Sequence, residues 1–270
     1  MNTTRRALIT GASSGIGAVY ADRLAQTGHD LVIVARRKDH LDELAARLAT
    51  DYGVQVEVMV ADLAQRPDVR RVALRLEALP AIDVFINNAG YAARGPVASL
   101  DADALDEMLE VNVMAMSRLA SHAMAAMTRT GHGIIINISS ITSFLLRPGN
   151  AGYGASKSFV MAFSRHMQLE AEGTGVYVQL LVPGVVATDF HRIAGADLSA
   201  FPPSRVMSAE DLVTASLCAV EAGELVCIPS LPETAAWELY CTAEAAIAAD
   251  ASHDRIASRY RCPVNSKAGL

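Results

Sequence analysis

A phenol and an ammonium four residues apart, Tyr153 and Lys157 in Gly152-Tyr153-Gly154-Ala155-Ser156-Lys157-Ser158, form the pair best suited to chemistry in this sequence. On a helix that spacing puts both on one face. The lysine charge would stabilise a phenolate and draw its pKa down from about 10, giving an acid/base that works near neutral pH. Far upstream lies a glycine-rich stretch, Thr10-Gly11-Ala12-Ser13-Ser14-Gly15-Ile16-Gly17. Arg6 to Ile9 before it is a short apolar run that fits a strand. Ala18 to Thr27 after it carries Ala18, Ala21, Leu24 and Ala25 at helical spacing. Glycines in such a strand-to-helix turn allow positive φ and let backbone N–H groups approach phosphate, while the helix end adds about half a positive charge. A dinucleotide pyrophosphate would rest there. The spacing is G-x-x-x-G-x-G, not the commoner G-x-G-x-x-G, and a purely structural turn is the plain alternative.

The elements that must hold these residues alternate along the chain. Strand-like runs are expected at Ala7 to Ile9, Asp30 to Ala35, Val54 to Val60, Val84 to Asn87, Gly133 to Ser139, Val176 to Val182 and Leu225 to Ile228. Helical patterns lie between them near 39 to 51, 66 to 79, 101 to 128, 152 to 172 and 209 to 222. Several strands are continuous Val/Ile/Leu runs, as strands covered on both faces should be. The expected fold class is α/β, a Rossmann-like doubly wound parallel sheet of about seven strands with helices on both faces. No linker or repeat divides the series, so residues 1 to 270 read as a single domain.

With these residues in order, the sequence resembles the short-chain dehydrogenase/reductase family from about residue 6 to residue 190. The family's T-G-x-x-x-G-x-G loop is matched by Thr10 to Gly17, and its N-N-A-G by Asn87-Asn88-Ala89-Gly90. Its helix asparagine is matched by Asn112 in Glu110-Val111-Asn112-Val113. Its serine, thirteen residues before the tyrosine, falls on Ser140, and its P-G-x-V-x-T segment is matched by Pro183-Gly184-Val185-Val186-Ala187-Thr188. The resemblance implies a catalytic set of Ser140, Tyr153, Lys157 and Asn112, with Asn112 continuing a proton relay through water. It implies coenzyme contacts from Gly11, Ser13, Ser14, Gly15, Ile16, Gly17, Asn88, Ala89, Gly90, Tyr153, Lys157, Pro183, Gly184, Val186 and Thr188, with Asp62 and Leu63 at the adenine. Taken singly, the residues have ordinary readings: Ser140 ends a strand, Asn112 is a polar residue in a helix, and an aspartate just past a strand often caps a helix.

The end of the second strand bears on the coenzyme. NAD enzymes of this class place an acid there for the ribose hydroxyls, whereas a 2′-phosphate needs cations. Here Ala35 is followed by Arg36, Arg37 and Lys38. Arg36 with Ser13 or Ser14 would bind the phosphate, so NADP is the expected cofactor; a solvated helix start is the alternative. The expected reaction is hydride transfer between a carbonyl and an alcohol. A non-catalytic NADP-binding sensor or scaffold, and an epimerase or dehydratase on the same fold, are the other readings.

Composition narrows the classes. The net charge is -6 with no basic run beyond Arg5-Arg6 and Arg36-Arg37-Lys38, which argues against nucleic acid as a partner. Hydrophobic residues make up 51% of the chain, enough for a large core. Arg5-Arg6 is followed by only a few apolar residues, short of the run of about 7 to 15 in an export signal, so a cytoplasmic protein with no membrane partner is expected. Cys218, Cys227, Cys241 and Cys262 lack metal-ligand spacing, and His191 has no second ligand suitably placed. Free thiols and no metal are expected.

Pocket positions by analogy are Tyr91 to Arg94, Ile141 to Gly149, and a lid over 188 to 206. Phe144, Leu145, Leu146, Phe190, Ile193 and Phe201 suggest an apolar cavity. Arg94, Arg147, His191 and Arg192 would instead receive an anion or lie at the surface. The segment 230 to 260 departs from the family. Pro232 to Ala257 reads as a long helix whose apolar stripe closes the pocket, packs on another subunit or covers the core. The resemblance also suggests a homodimer or homotetramer built on the helices near 101 to 128 and 152 to 172.

Overall fold

The computed structural model describes residues 5–190 and 197–261. His191, Arg192, Ile193, Cys262 and part of the expected lid lie outside them. By its internal contacts the chain divides into two units, Met1–Ser230 and Leu231–Leu270.

The first unit is built on a seven-stranded sheet. Its strands are β1 (Arg6–Thr10), β2 (Asp30–Ala35), β3 (Val56–Val60), β4 (Val84–Asn87), β5 (Gly133–Ile138), β6 (Val176–Leu181) and, late in the chain, β9 (Val226–Cys227). They run in the order β3-β2-β1-β4-β5-β6-β9, with every pair parallel. The order reverses between β1 and β4, so a crevice opens at their carboxyl ends. A second, two-residue parallel bridge joins β7 (Val185–Val186) to β8 (Val206–Met207).

Alternation along the strands splits the core in two. Ala7, Ile9, Leu31, Ile33, Val84 and Ile86 face one side, with Tyr20, Leu24, Leu41, Leu48, Leu212 and Val213 packed on them. These come from α1 (Gly15–Gln26), α2 (Lys38–Tyr52) and α7 (Ala209–Glu221). Leu8, Val32, Val34, Phe85 and Ile135 face the other side, against Val69, Val72, Leu76, Leu119, Ala123 and Met167. Those belong to α3 (Arg66–Glu77), α5 (Met116–Thr130) and α6 (Ala151–Ala171). Period two on both faces explains why β2 and β5 read as unbroken apolar runs. Burying one such side chain contributes about 1.5–3 kcal/mol.

The expected helix over 101 to 128 is three pieces. α4 (Ala102–Leu109) is capped by Asp101, whose carboxylate accepts from the Asp103 and Ala104 N–H groups. A π-helical turn, Glu110–Ala115, follows before α5 begins. The wider turn inserts a residue's worth of rotation that helical spacing alone does not reveal, and such turns gather at functional sites.

In the second unit the expected helix over 232 to 257 is shorter, α8 (Ala235–Asp250). None of its described residues is buried, and Leu239 and Ile247 are 70% and 72% exposed. Trp237 and Tyr240 stack with ring centroids 5.4 Å apart. Among the described residues no helix is long and apolar enough to cross a membrane, and no group of three or more His, Cys, Asp or Glu could hold a metal ion.

Candidate active site

The glycine loop joins β1 to α1 at the crevice. Thr10 fastens it: the Thr10 hydroxyl accepts the N–H groups of Asn88 and Ala89, both at 3.0 Å, and Asn88 Nδ2 donates to the Thr10 carbonyl at 2.8 Å. Gly11 has a φ of +69°, and a Cβ at Gly17 would lie 2.5 Å from the Gly11 carbonyl oxygen. No other residue type fits that closure. From the far side Thr188 packs on the loop, its methyl 3.1 Å from where a Gly15 Cβ would stand.

Two serine-led helix starts show what the loop leaves open. At α7, Ser208 accepts the Asp211 N–H at 2.9 Å, and Glu210 and Asp211 stand in the first turn. At α1, Ser14 makes no side-chain cap bond, and the first turn holds no acid. The first-turn N–H groups and helix dipole of α1 are therefore arranged for an external anion.

The residues after β2 depart from expectation. Arg37, not Arg36, reaches the loop: its Nη2 donates to Ser13 Oγ at 2.9 Å and to Ser14 Oγ at 2.8 Å. Arg36 turns away toward α4, with Nη1 3.7 Å from Glu107 Oε1. Arg37 still has extended backbone, in which successive side chains point to opposite sides. That alternation sends the two arginines to opposite sides, one to the loop and the other to α4. Asp62 accepts the Ala64 N–H at 3.1 Å in a local turn. The Leu63 side chain belongs to the core, which leaves its backbone for any ligand. Pro183 and Val186 are likewise buried, Gly184 exposed, and the Pro183 carbonyl accepts the Ile141 N–H at 2.7 Å.

At the other end of the crevice the four catalytic candidates converge, all at most 8% exposed. Ser140 follows β5 and caps a short turn, its Oγ accepting the Thr142 N–H at 3.2 Å. Tyr153 and Lys157 share one face of α6, with the ammonium 5.9 Å from the ring centroid. Lys157 Nζ donates to the Ile138 carbonyl at 3.0 Å, and Ser139 Oγ donates to the Lys157 carbonyl at 2.8 Å, so α6 is fastened to the end of β5 at the lysine. Asn112 lies in the π turn and clamps Tyr91. Its Oδ1 accepts the Tyr91 N–H at 3.1 Å, and its Nδ2 donates to the Tyr91 carbonyl at 2.8 Å and to Ser156 Oγ at 3.2 Å. A Cβ at Gly90 would lie 2.9 Å from Asn112 Oδ1 and 3.3 Å from Lys157 Nζ. Gly90 thus keeps the space between those two groups open.

Burial sets the acid–base character here. It pushes the Tyr153 phenol up to about 12, against the opposing pull of the Ser140 hydroxyl and the Arg94 charge. Burial also brings the Lys157 ammonium down to about 8. The phenol thus stands above its ordinary value, against the expectation that the lysine charge draws it down: desolvation outweighs the Ser140 and Arg94 pulls, and the ammonium is engaged with the Ile138 carbonyl.

The wall facing Tyr153 is apolar. Ala92, Met108 and Tyr153 form a buried cluster with Tyr91, Leu105 and Phe190 against it, and the Phe190 ring centroid lies 5.8 Å from that of Tyr153. Phe144 packs on Met161, Leu180 and Val182 instead, and Leu146 is 93% exposed, so neither belongs to this wall. Arg94 and Arg147 are exposed. The segment 188–206 departs just after β7 and returns at β8, where the Ala187 N–H donates to the Met207 carbonyl at 2.8 Å. Sequence reasoning did not single out Thr10, Ser139 or Ser156 as site residues. Their work is to hold backbone, and a lone hydroxyl residue carries little signal of that.

Known proteins share this sequence pattern and fold. A family profile described as short chain dehydrogenase matches residues 5–198. A solved short-chain dehydrogenase from Sphingobium yanoikuyae, in complex with NADPH, is 40% identical with a TM-score of 0.91, covering 95% of this chain and 100% of that one. A bulky-bulky ketone specific alcohol dehydrogenase from Comamonas testosteroni is 36% identical with a TM-score of 0.88, covering 97% of this chain and 100% of that one. The very-long-chain 3-oxoacyl-CoA reductase of Anas platyrhynchos is 35% identical over 193 residues, which span 70% of this chain but only 62% of that protein. The chain belongs to the short-chain dehydrogenase/reductase family.

Proposed function

We propose that this chain interconverts a carbonyl and an alcohol with NADP(H), with Tyr153 as general acid/base, on a bulky and largely apolar substrate. The observation that carries this reading is the buried Ser140–Tyr153–Lys157 set facing the Ala92, Met108 and Phe190 wall. The NADPH complex of the Sphingobium relative and the ketone substrate of the Comamonas relative support it.

The residues present fit a dinucleotide. The uncapped, acid-free start of α1 suits the pyrophosphate, and Arg37 with Ser13 and Ser14 forms a cationic, hydroxyl-rich corner for a 2′-phosphate. When bound, the nicotinamide supplies the hydride in reduction and accepts it in oxidation.

In reduction, negative charge gathers on the substrate oxygen. Tyr153 donates its proton to that oxygen, and the Ser140 hydroxyl donates a second hydrogen bond, its position fixed by the Thr142 N–H. Near neutral pH Lys157 remains mostly cationic, and one of its three donors is used by Ile138, leaving two for ribose hydroxyls. That cation offsets the charge left on the phenol. Asn112 holds the Tyr91 turn and faces Lys157 across the space that Gly90 keeps clear, the route by which a proton returns through water. The segment 188–206, pinned at both ends by the β7–β8 bridge, serves as the substrate lid.

The test is coenzyme oxidation against a panel of bulky ketones, small aldehydes and 3-oxoacyl thioesters. Turnover fastest on bulky apolar ketones is expected. NADPH binding with no turnover of any carbonyl would favour the sensor or scaffold reading, and carbon inversion or water loss without net coenzyme consumption the epimerase or dehydratase reading. The assembly belongs to the same proposal: Met114, Phe159 and Leu169 are exposed apolar residues on the π turn and α6, which suits a homodimer or homotetramer, to be read from mass in solution by light scattering.

A further inference from the structure

Polar side chains that the reaction does not use gather along the crevice, between the end of β2 and the wall facing Tyr153. Arg36 leaves the end of β2, Asp62 lies just past β3, Tyr91 follows the turn after β4, and Glu107 stands on α4. The strands are parallel, and β3, β2, β1 and β4 are neighbours, so these residues ring one half of the same opening. Arg36 Nη1 and Glu107 Oε1, 3.7 Å apart, tie the sheet end to the helix. Tyr91 lies beside them. Its backbone is clamped by Asn112, and its phenol is raised by burial and then by the neighbouring Glu107 carboxylate.

Arg37 already sits on Ser13 and Ser14, while Arg36 is committed to a carboxylate that no ligand supplies. We propose that Glu107 is a coenzyme-positioning residue that competes with the adenosine 2′-phosphate for Arg36. Carboxylate and phosphate both take a guanidinium through paired oxygens, so one arginine cannot serve both fully. The side chains of the pair are 63% and 49% exposed, which makes the contact weak and exchangeable. A doubly charged phosphate displaces the carboxylate, whereas a ribose without phosphate leaves it in place. The inference rests on the NADP(H) reading and deepens it.

The experiment is titration of the full chain with NADPH and with NADH, by fluorescence at one salt concentration, for wild type, Glu107→Gln, Arg36→Ala and the double variant. Glu107→Gln removes the competing charge from an exposed position and leaves the fold intact. It should tighten NADPH by about two- to fivefold, the range open to an exposed ion pair, with NADH changed far less. In the Arg36→Ala background most of that gain should vanish. Unchanged or weaker NADPH binding by Glu107→Gln overturns the inference, as does an equal gain without Arg36, which would mark simple repulsion. A wild type that binds NADPH no more tightly than NADH overturns the coenzyme reading, and the inference with it.

Discussion

Around Tyr153 the polar groups are buried and tied to backbone: Ser140 to the Thr142 N–H, Lys157 to the Ile138 carbonyl, Asn112 to both sides of Tyr91. Arg36 and Arg37 are exposed, and their partners are chiefly other side chains, Glu107, Ser13 and Ser14, with one longer bond from Arg37 to the Ser13 carbonyl. Both ends line one crevice on one sheet. The difference lies in how much each contact is worth. A buried polar group without its partner keeps its full desolvation cost, so the tyrosine end has one geometry. An exposed ion pair is worth about 0–1 kcal/mol, so the arginine end can exchange partners as ligands come and go. Chemistry needs the first kind of site and coenzyme choice tolerates the second.

Removing the proposed proton donor, Tyr153, should break the buried end most severely. Tyr153→Phe should cut turnover by about 10² to 10⁴-fold, the usual worth of general acid catalysis, while NADPH affinity stays within a few-fold of wild type. Steady-state kinetics beside a binding titration measures both. Retention of more than a third of wild-type turnover would remove Tyr153 from the role.

Ser140→Ala should cost somewhat less, about 10²-fold in kcat, because one of two donors to the developing oxyanion remains. It should also move the pH profile. The Ser140 hydroxyl opposes the burial that raises the phenol, so its loss drives the phenol higher still and displaces the basic limb of kcat upward. A variant with normal kcat, or with an unmoved limb, would place Ser140 outside the reaction.

Less is at stake among the exposed arginines. Arg37 makes two short bonds to the loop serines, whereas Arg36 reaches only Glu107. A hydrogen bond to a charged group contributes about 1.5–3 kcal/mol, and about 1.4 kcal/mol is a factor of ten. Arg37→Ala should therefore weaken NADPH binding about tenfold or more, and Arg36→Ala only a few-fold, with NADH little affected by either. The reverse ranking in calorimetric titrations would return the phosphate to Arg36.

These magnitudes also explain what the sequence reveals. Strand positions were legible because both faces of the sheet are covered: Asp30–Ala35 and Val84–Asn87 match the expected runs residue for residue. Ser140, Asn112, Tyr153 and Lys157 were legible because their spacing is tied to strand and helix geometry, and the fold brings them together. The π turn at Glu110–Ala115 was not, since it changes hydrogen-bond partners without changing residue types. Nor was the turning of Arg36 toward Glu107, because a long exposed side chain is placed by contacts far away in sequence. The phenol's upward shift escaped for a related reason: the pair's spacing is local, but its desolvation depends on Met108, Ala92 and the strands beneath.

The smallest effect concerns stability and tests burial at the tyrosine end directly. Burial depresses the Lys157 ammonium to about 8 from an ordinary value of 10.5. Below pH 8 both folded and unfolded chains hold that proton, and the cost of burying the charge is fully present. Between 8 and 10.5 the unfolded chain holds the proton more often than the folded one, so this group makes stability rise with pH, and above 10.5 its cost is gone. Tyr153 works in the opposite direction but higher, since a phenol raised from 10 to about 12 lowers stability only as pH climbs through that range. Lys157→Met removes the lysine contribution and leaves the tyrosine in place. Without added coenzyme, the melting temperature of wild type relative to Lys157→Met should improve by a few degrees from about pH 7 to about pH 9.5, given about 2–4 °C per kcal/mol in a chain this long. Loss of the bond to the Ile138 carbonyl shifts the variant equally at both pH values and drops out of the comparison. A constant gap across that window would mean that Lys157 keeps an ordinary pKa, and that water reaches it as freely as it reaches Arg36.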